Sequence, residues 1–420
     1  MTKHTPTTIS FFGNFGTTNF GNEATLDAML SRLRLLFPGC EFCCICTGPE
    51  NVVATHGIAA VPHTIRSARI WDRQLPLSKR LRMATLGLSE ELREYARAWR
   101  TLGGSDLLIV PGTGLLTDAF GLSGWGPYGL LKWALVARLR RCDVMFVSVG
   151  AGPLRSASGR RVVRWALSLA AYRSYRDVPS RALVEATGLR VEDDPIYPDL
   201  VFGLSPPAKA AVREGRPVVG LGLMEYSEAY STASPLRDTY ERYVKSLVGV
   251  VDWLLDHDYD VKLLLGDRDA DTFVVDDLKA TLRERLATAG DGRVTYHPID
   301  SVDDLVSQLS ATDLVIATRF HNVLMSLLLR KPVVAISFHH KCSSLMGDMG
   351  LSDYCQDINT IDAEALIAKF EGLAEHSNDV ERTIAQRLEG ARSALDEQYE
   401  ALFDEPLDGS LAARAAATSA

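Results

Sequence analysis

Three basic side chains stand at two neighbouring strand ends: Arg319, His321 and Lys341. Residues 313–318 form an apolar run of strand length, followed by Arg319-Phe320-His321 and an apolar stretch of helical period over 322–329. Pro332 and a second apolar run at 333–336 come next, and His339-His340-Lys341 lies just beyond. Continuous apolar runs bounded by a helix and a proline are the mark of buried parallel strands. Open parallel sheets bind their ligands outside the carboxyl ends of such strands. Arg319 and His321 also fall beside a helix N-terminus, where unpaired N–H groups and the macrodipole favour an anion. The chemistry this suits is recognition of a small anion. Arg offers a planar fork for carboxylate or phosphate, Lys a point charge, and His an imidazole that titrates near neutrality. The plain alternative is a surface Arg, a capping His and an exposed Lys.

Other turns carry ligand-compatible groups. A first strand at 7–12 runs into Gly13, Gly16, Asn19, Gly21, Asn22 and Glu23, with a helix expected from about 24 to 36. The spacing is not G-x-G-x-x-G, so the dinucleotide fingerprint fails. The glycines still permit close approach of backbone to a ligand, and a plain capped helix start is the competing explanation. A strand at 106–110 ends in Pro111-Gly112-Thr113-Gly114, and one at 143–149 ends in Gly150-Ala151-Gly152-Pro153. Arg176-Asp177 precedes a helix at 181–187, and further strands are expected at 217–223, 261–265 and 293–297. Asp267, Asp269 and Asp271 suit a polar turn capping the next helix better than a metal site.

Repetition of strand, glycine-rich end and helix predicts an α/β fold of two Rossmann-like domains facing a cleft, as in GT-B proteins. The expected boundaries are 1–206, 207–403 and a disordered tail at 404–420, with a linker at 206–215. Lys and Arg number 45 against 53 Asp and Glu, a net charge of −8, which argues against nucleic acid as a partner. No apolar h-region opens the chain and no 18-residue apolar run occurs, so a cytoplasmic protein is expected. Four of the seven cysteines crowd into Cys40, Cys43, Cys44 and Cys46. No second Cys/His pair stands at zinc spacing, so this run is expected to be a core strand and no metal is predicted. Arg66, Arg69, Arg73, Lys79, Arg80 and Arg82 lie among apolar residues. That pattern suits a solvated face, or peripheral contact with the inner face of a membrane.

Assembled in order, these pieces resemble the polysaccharide pyruvyl transferase family. The resemblance is carried by Asn19-Phe-Gly21-Asn22-Glu23, Gly112-Thr-Gly114, Val149-Gly-Ala-Gly152-Pro153, Arg176-Asp177, Asp194-Pro195, and Arg319-Phe-His321 with Lys341 twenty positions on. It implies a GT-B-like fold and transfer of pyruvate from phosphoenolpyruvate, as a ketal, to a sugar of a cell-surface polysaccharide or glycolipid. The implied partners are phosphoenolpyruvate, as donor substrate rather than cofactor, and a glycan or lipid-linked acceptor. Arg176, Arg319 and Lys341 would bind substrate with Asn19 and Gly114, while His321, Asp177 and Glu23 would be catalytic. Two departures stand out: Gly21-Asn22 replaces the common Gly-Asp, and Pro111-Gly-Thr-Gly114 replaces a run of three glycines. A GT-B glycosyltransferase using a nucleotide sugar is the alternative function, and a non-catalytic glycan-binding partner a further one.

Overall fold

In a computed structural model the chain is described over residues 5–65, 77–119, 121, 126–205, 215–225, 236–283 and 292–403. The expected 206–215 linker, most of the Arg-rich segment and the expected 404–420 tail lie wholly or largely outside the described residues.

Six short runs rich in apolar residues pair in one parallel sheet: β1 (Thr8–Phe12), β2 (Glu41–Cys46), β3 (Ala59–Pro62), β4 (Leu107–Pro111), β5 (Asp143–Val149) and β6 (Tyr172–Tyr175). Their order is β3-β2-β1-β4-β5-β6. Six more form a second parallel sheet: β7 (Val218–Leu223), β8 (Asp260–Leu265), β9 (Val294–Tyr296), β10 (Leu314–Ala317), β11 (Val333–Ser337) and β12 (Cys355–Asp357). Its order, β12-β11-β10-β7-β8-β9, is the first order repeated when β7 is counted as the opening strand. Both sheets are therefore Rossmann-like, each with a topological switch point beside its first strand. Central strands β4, β7, β10 and β11 are buried along their whole length, whereas edge strands β3 and β9 hold only half-covered residues at most positions. Helices on both faces demand this pattern in a parallel sheet.

Around the first sheet, Trp133 and Val136 of the helix Pro127–Leu139 pack with Phe12, Val110, Val144 and Phe146. In the second, the helix Leu236–Asp256 buries Tyr243, Leu247, Val250, Val251 and Leu254 at helical spacing. Cys43, Cys44 and Cys46 of the cysteine run lie in β2, with Cys44 and Cys46 fully buried, and Cys40 stands just before the strand. Burial raises the Cys43 thiol to about 11, so it behaves as a packed hydrophobe.

By contact the chain divides into two compact units: among the described residues one comprises 5–17 and Thr25–Leu200, the other Thr18–Ala24 and 201–403. The segment Thr18–Ala24 thus leaves the N-terminal unit to which the sequence assigns it. The first long helix runs Phe20–Leu36 and starts four residues before the expected point. Asn19 accounts for this, because its Oδ1 accepts a hydrogen bond from Asn22 N at 3.3 Å, an N-cap bond.

Candidate functional site

In the second unit β10 and β11 pair through Val315–Val333, Ile316–Val334 and Ala317–Ala335, and each is followed by a helix. The helix Phe320–Leu328 carries His321 in its first turn, with Arg319 at the N-cap. The helix His340–Asp348 carries Lys341 in its first turn, with His339 at the N-cap accepting from Lys341 N through Nδ1 at 3.3 Å. His321 and Lys341 thus sit in the first turns of helices that follow adjacent strands, where backbone N–H groups and dipole favour negative charge. The helix His340–Asp348 carries no usual start signal in the sequence, since its cap is a histidine rather than Ser, Thr, Asp or Asn.

Arg319 is not an exposed cation. Its Nε donates to both Asp271 oxygens at 3.1 and 2.9 Å, and its Nη2 to Oδ1 at 2.5 Å. Asp271 is fully buried and also accepts from Glu225 N (2.9 Å), Asp267 N (3.0 Å) and Gly266 N (3.4 Å). One carboxylate therefore ties the ends of β7 and β8 to the start of the His321 helix. This corrects the expectation that Asp271 merely belongs to a polar turn. Asp267 does cap the helix Arg268–Thr281 through Ala270 N. Tyr243, buried on the long helix, accepts from Met224 N at 3.2 Å and pairs with Thr318 Oγ1 at 2.9 Å. Burial raises its phenol well above the ordinary range and keeps it neutral. Asn322, next in the helix, is fully buried between Gly222 and Gly266.

Asn19 and Glu23 join this unit through Thr18–Ala24. Phe20 N donates to Gly266 O at 3.3 Å, Arg268 N to Thr18 O at 3.4 Å, and Thr18 Oγ1 to Asp267 Oδ1 at 3.1 Å. Asn19 and Asp267 form an antiparallel bridge. Glu23 is buried in the first turn of its helix.

In the first unit Arg176 follows β6 and is also buried. Its Nη1 donates to Asp199 Oδ2 at 2.8 Å and to Gly112 O at 3.4 Å, and its Nε lies 3.6 Å from Asp177 Oδ2. Asp177 caps the helix Val178–Glu185, with Oδ1 accepting from Ser180 N at 2.7 Å. A bulge shapes this strand end. The β5–β6 register shifts between Phe146 and Val149, Ser148 takes φ 50°, and Arg176 N donates to Val149 O at 3.1 Å. A non-glycine residue held at positive φ marks a site that the surrounding structure over-determines. Gly150 makes room there, for a Cβ on it would lie 2.7 Å from Arg176 Nη2. Gly114 is exposed beyond β4, and Thr113 beside it is buried. Asp194 holds Arg173 at 2.7 Å and accepts from the Tyr175 hydroxyl at 3.2 Å, which makes it an anchor for β6.

The predicted residues thus fall into two groups: Asn19, Glu23, Arg319, His321 and Lys341 in the second unit, and Gly114, Arg176 and Asp177 in the first. Sequence reasoning overlooked Asp199 and the pairing role of Asp271. The available signal for Asp199 was a single acidic residue heading the apolar run Leu200-Val201-Phe202. Among the described residues no group of three or more His, Cys, Asp or Glu could hold a metal ion, and no helix is long and apolar enough to cross a membrane.

Two parallel six-stranded Rossmann-like units with basic residues beyond their strand ends define a GT-B-like α/β protein. Solved structures agree on that fold. A Listeria monocytogenes protein described as a putative UDP-N-acetylglucosamine 2-epimerase superposes with a TM-score of 0.59 at 13% identity, covering 96% of this chain and 99% of that one. The lipopolysaccharide outer core galactosyltransferase WaaB gives 0.51 at 13% identity, covering 94% and 99%. Residues 19–340 match the polysaccharide pyruvyl transferase family, and the chain belongs to it. The amylovoran biosynthesis protein AmsJ of Erwinia amylovora is 25% identical over 156 residues. That match spans 37% of each chain.

Proposed function

We propose that this protein transfers the pyruvyl group of phosphoenolpyruvate to a sugar of a polysaccharide or its lipid-linked precursor and releases phosphate. The carrying observation is the placement of His321 and Lys341 in the first turns of helices following adjacent strands, in a member of this family. Two helix N-termini, an imidazole and an ammonium suit a compact ligand bearing both phosphate and carboxylate.

In the proposed reaction a sugar hydroxyl adds to C2 of the enolpyruvyl group while C3 takes a proton. The C2–O bond to phosphate then breaks, phosphate leaves, and a second hydroxyl closes the ketal as its proton departs. His321 is the proposed acid–base group, with Lys341 as a donor-binding charge. Arg319, neutralised by its fork with Asp271, is proposed to act on the substrate side by holding the start of the His321 helix. Glu23 is the proposed base for the attacking hydroxyl, with Asn19 beside it at the substrate. Asp177 is proposed to serve through Arg176, since one oxygen caps a helix and the other faces that guanidinium. Arg176 and Gly114 are proposed substrate contacts of the first unit. Work on a lipid-linked acceptor at the inner membrane face is part of the same proposal.

Thermal-shift titration with phosphoenolpyruvate, UDP and GDP tests the donor. Ligand at 100 times its dissociation constant stabilises by about 2.7 kcal/mol. The expected result is a shift with phosphoenolpyruvate that vanishes in Lys341→Ala. A shift with nucleotide alone would replace this reading by nucleotide-sugar transfer. His321→Gln is expected to lower kcat by about 10²–10⁴-fold, read as phosphate release, and full turnover would remove the assigned role.

A further inference from the structure

The glycine at position 21 has no backbone reason to be there. Its φ is not positive, and it is the second residue of the helix Phe20–Leu36, a position whose backbone accepts any L side chain. Its surroundings explain it. A Cβ added at Gly21 would overlap three atoms of the His321 imidazole: Nδ1, Cγ and Cε1. The ring therefore lies flat against the bare Cα of Gly21. The Phe320 ring also meets it, edge-on at 5.0 Å and 90°. Gly21 is itself held by the bonds that tie Thr18–Ala24 to the loop after β8, through Gly266, Asp267 and Arg268. Those residues lead directly to Asp271, which grips Arg319, the N-cap of the His321 helix. The backing and the helix that bears the imidazole thus share one frame.

We propose that Gly21 is a positioning residue for His321: its missing side chain leaves a flat backbone surface that fixes the plane in which the imidazole presents its nitrogens. The N-terminal Asn19-to-Glu23 motif then serves the second unit's histidine. This inference rests on the acid–base role proposed for His321. A ring rotated out of line transfers a proton poorly even where substrate still binds, because small misplacements of reacting groups are costly.

The test uses ¹⁵N-labelled full-length protein, with the His321 imidazole signals identified by their loss in His321→Gln. Gly21→Ala is expected to move those signals and lower kcat about 100-fold, with a smaller change in KM for phosphoenolpyruvate. Gly390→Ala places the same methyl in a helix where nothing lies within 4 Å, and is expected to move neither. The double variant Gly21→Ala/His321→Ala is expected to melt above Gly21→Ala, since the methyl no longer meets a ring. Unmoved imidazole signals in Gly21→Ala, an unchanged kcat, or a double variant no more stable than the single would overturn the proposal. Wild-type protein that transfers no pyruvate, with imidazole signals that still move in Gly21→Ala, would reject the acid–base reading and support the contact that fixes the ring.

Discussion

Each unit buries one arginine beyond its strand ends against an aspartate, yet the two pairs are built differently. Arg319 closes a fork on Asp271, and that carboxylate has no exposure and three backbone N–H donors besides. Arg176 meets Asp199 through one nitrogen and lies within 3.6 Å of a second carboxylate, Asp177. The same topology thus hosts a single-carboxylate lock in one unit and a shared arrangement in the other. A buried pair is weak evidence of net stability, but removing one partner of such a pair is expensive. The difference teaches where each arginine is replaceable: the Arg319 pair belongs to the frame of its unit, and the Arg176 pair has a second carboxylate in reserve.

The largest expected effect follows from that asymmetry. Asp271→Ala leaves Arg319 buried without its fork and unpairs three backbone donors, so it should cost about 3–5 kcal/mol in urea denaturation. Asp199→Ala leaves Asp177 near Arg176 and should cost about 1–3 kcal/mol. Equal losses would mean that Asp177 does not substitute for Asp199, and the contrast between the units would collapse.

A second contrast concerns acid. In the first unit His63 follows β3 among Lys132, Arg97 and Glu94. Burial lowers its pKa from 6.5 to about 4, with Lys132 and Arg97 adding to the drop and Glu94 opposing it. Between about 4 and 6.5 the unfolded chain therefore binds a proton that the folded chain refuses. That contribution to stability is complete above 6.5 and is lost as pH falls towards 4. The full window corresponds to at most ~3 kcal/mol. Glu94 adds acid lability as pH falls from about 4.5, because its carboxyl is held down by Arg97 and Ile65 N against the effect of its burial. His63→Gln should flatten the stability profile from pH 6.5 to 4 whatever it does to the midpoint at pH 7. An unchanged slope would show that His63 protonates in the folded state.

Much of this architecture is legible from residues in order. β5 occurs at the bounds that apolar continuity predicts, and the helix Leu236–Asp256 buries apolar residues at helical spacing over its length. Both are long enough for their period to outweigh local exceptions. The helix Pro49–His56 and β3 escape notice because a glycine stands at the helix cap with no side-chain bond, and the strand is one exposed and three half-exposed residues ending in proline. At the candidate site the basic residues are visible as residue types at strand ends. Their counter-ions are not, since Asp199 lies 23 positions from Arg176 and Asp271 lies 48 from Arg319. Pairing over such separations is a product of the fold, and no local spacing encodes it. The same holds for Gly21, whose reason lies in a ring 300 positions further along the chain.

Helix starts sharpen the comparison at its finest grain. In the first unit Ser156 caps the helix Ala157–Ser168 by accepting from Gly159 N at 2.9 Å, and its own hydroxyl donates to Asp118 at 2.6 Å. In the second, His339 caps the Lys341 helix with a longer 3.3 Å bond from a ring nitrogen. Ser156→Ala should therefore cost about 1 kcal/mol, and His339→Ala only a few tenths, read as shifts in the urea midpoint. The functional ranking should run the other way. Ser156 supports a helix that carries none of the candidate site residues, whereas His339 fixes the backbone N–H of Lys341 itself. His339→Ala should thus weaken the thermal shift with phosphoenolpyruvate more than Ser156→Ala does. If both caps cost the same stability and neither touches ligand binding, the second unit's helix start is an ordinary cap, and the anion must be held by side chains alone.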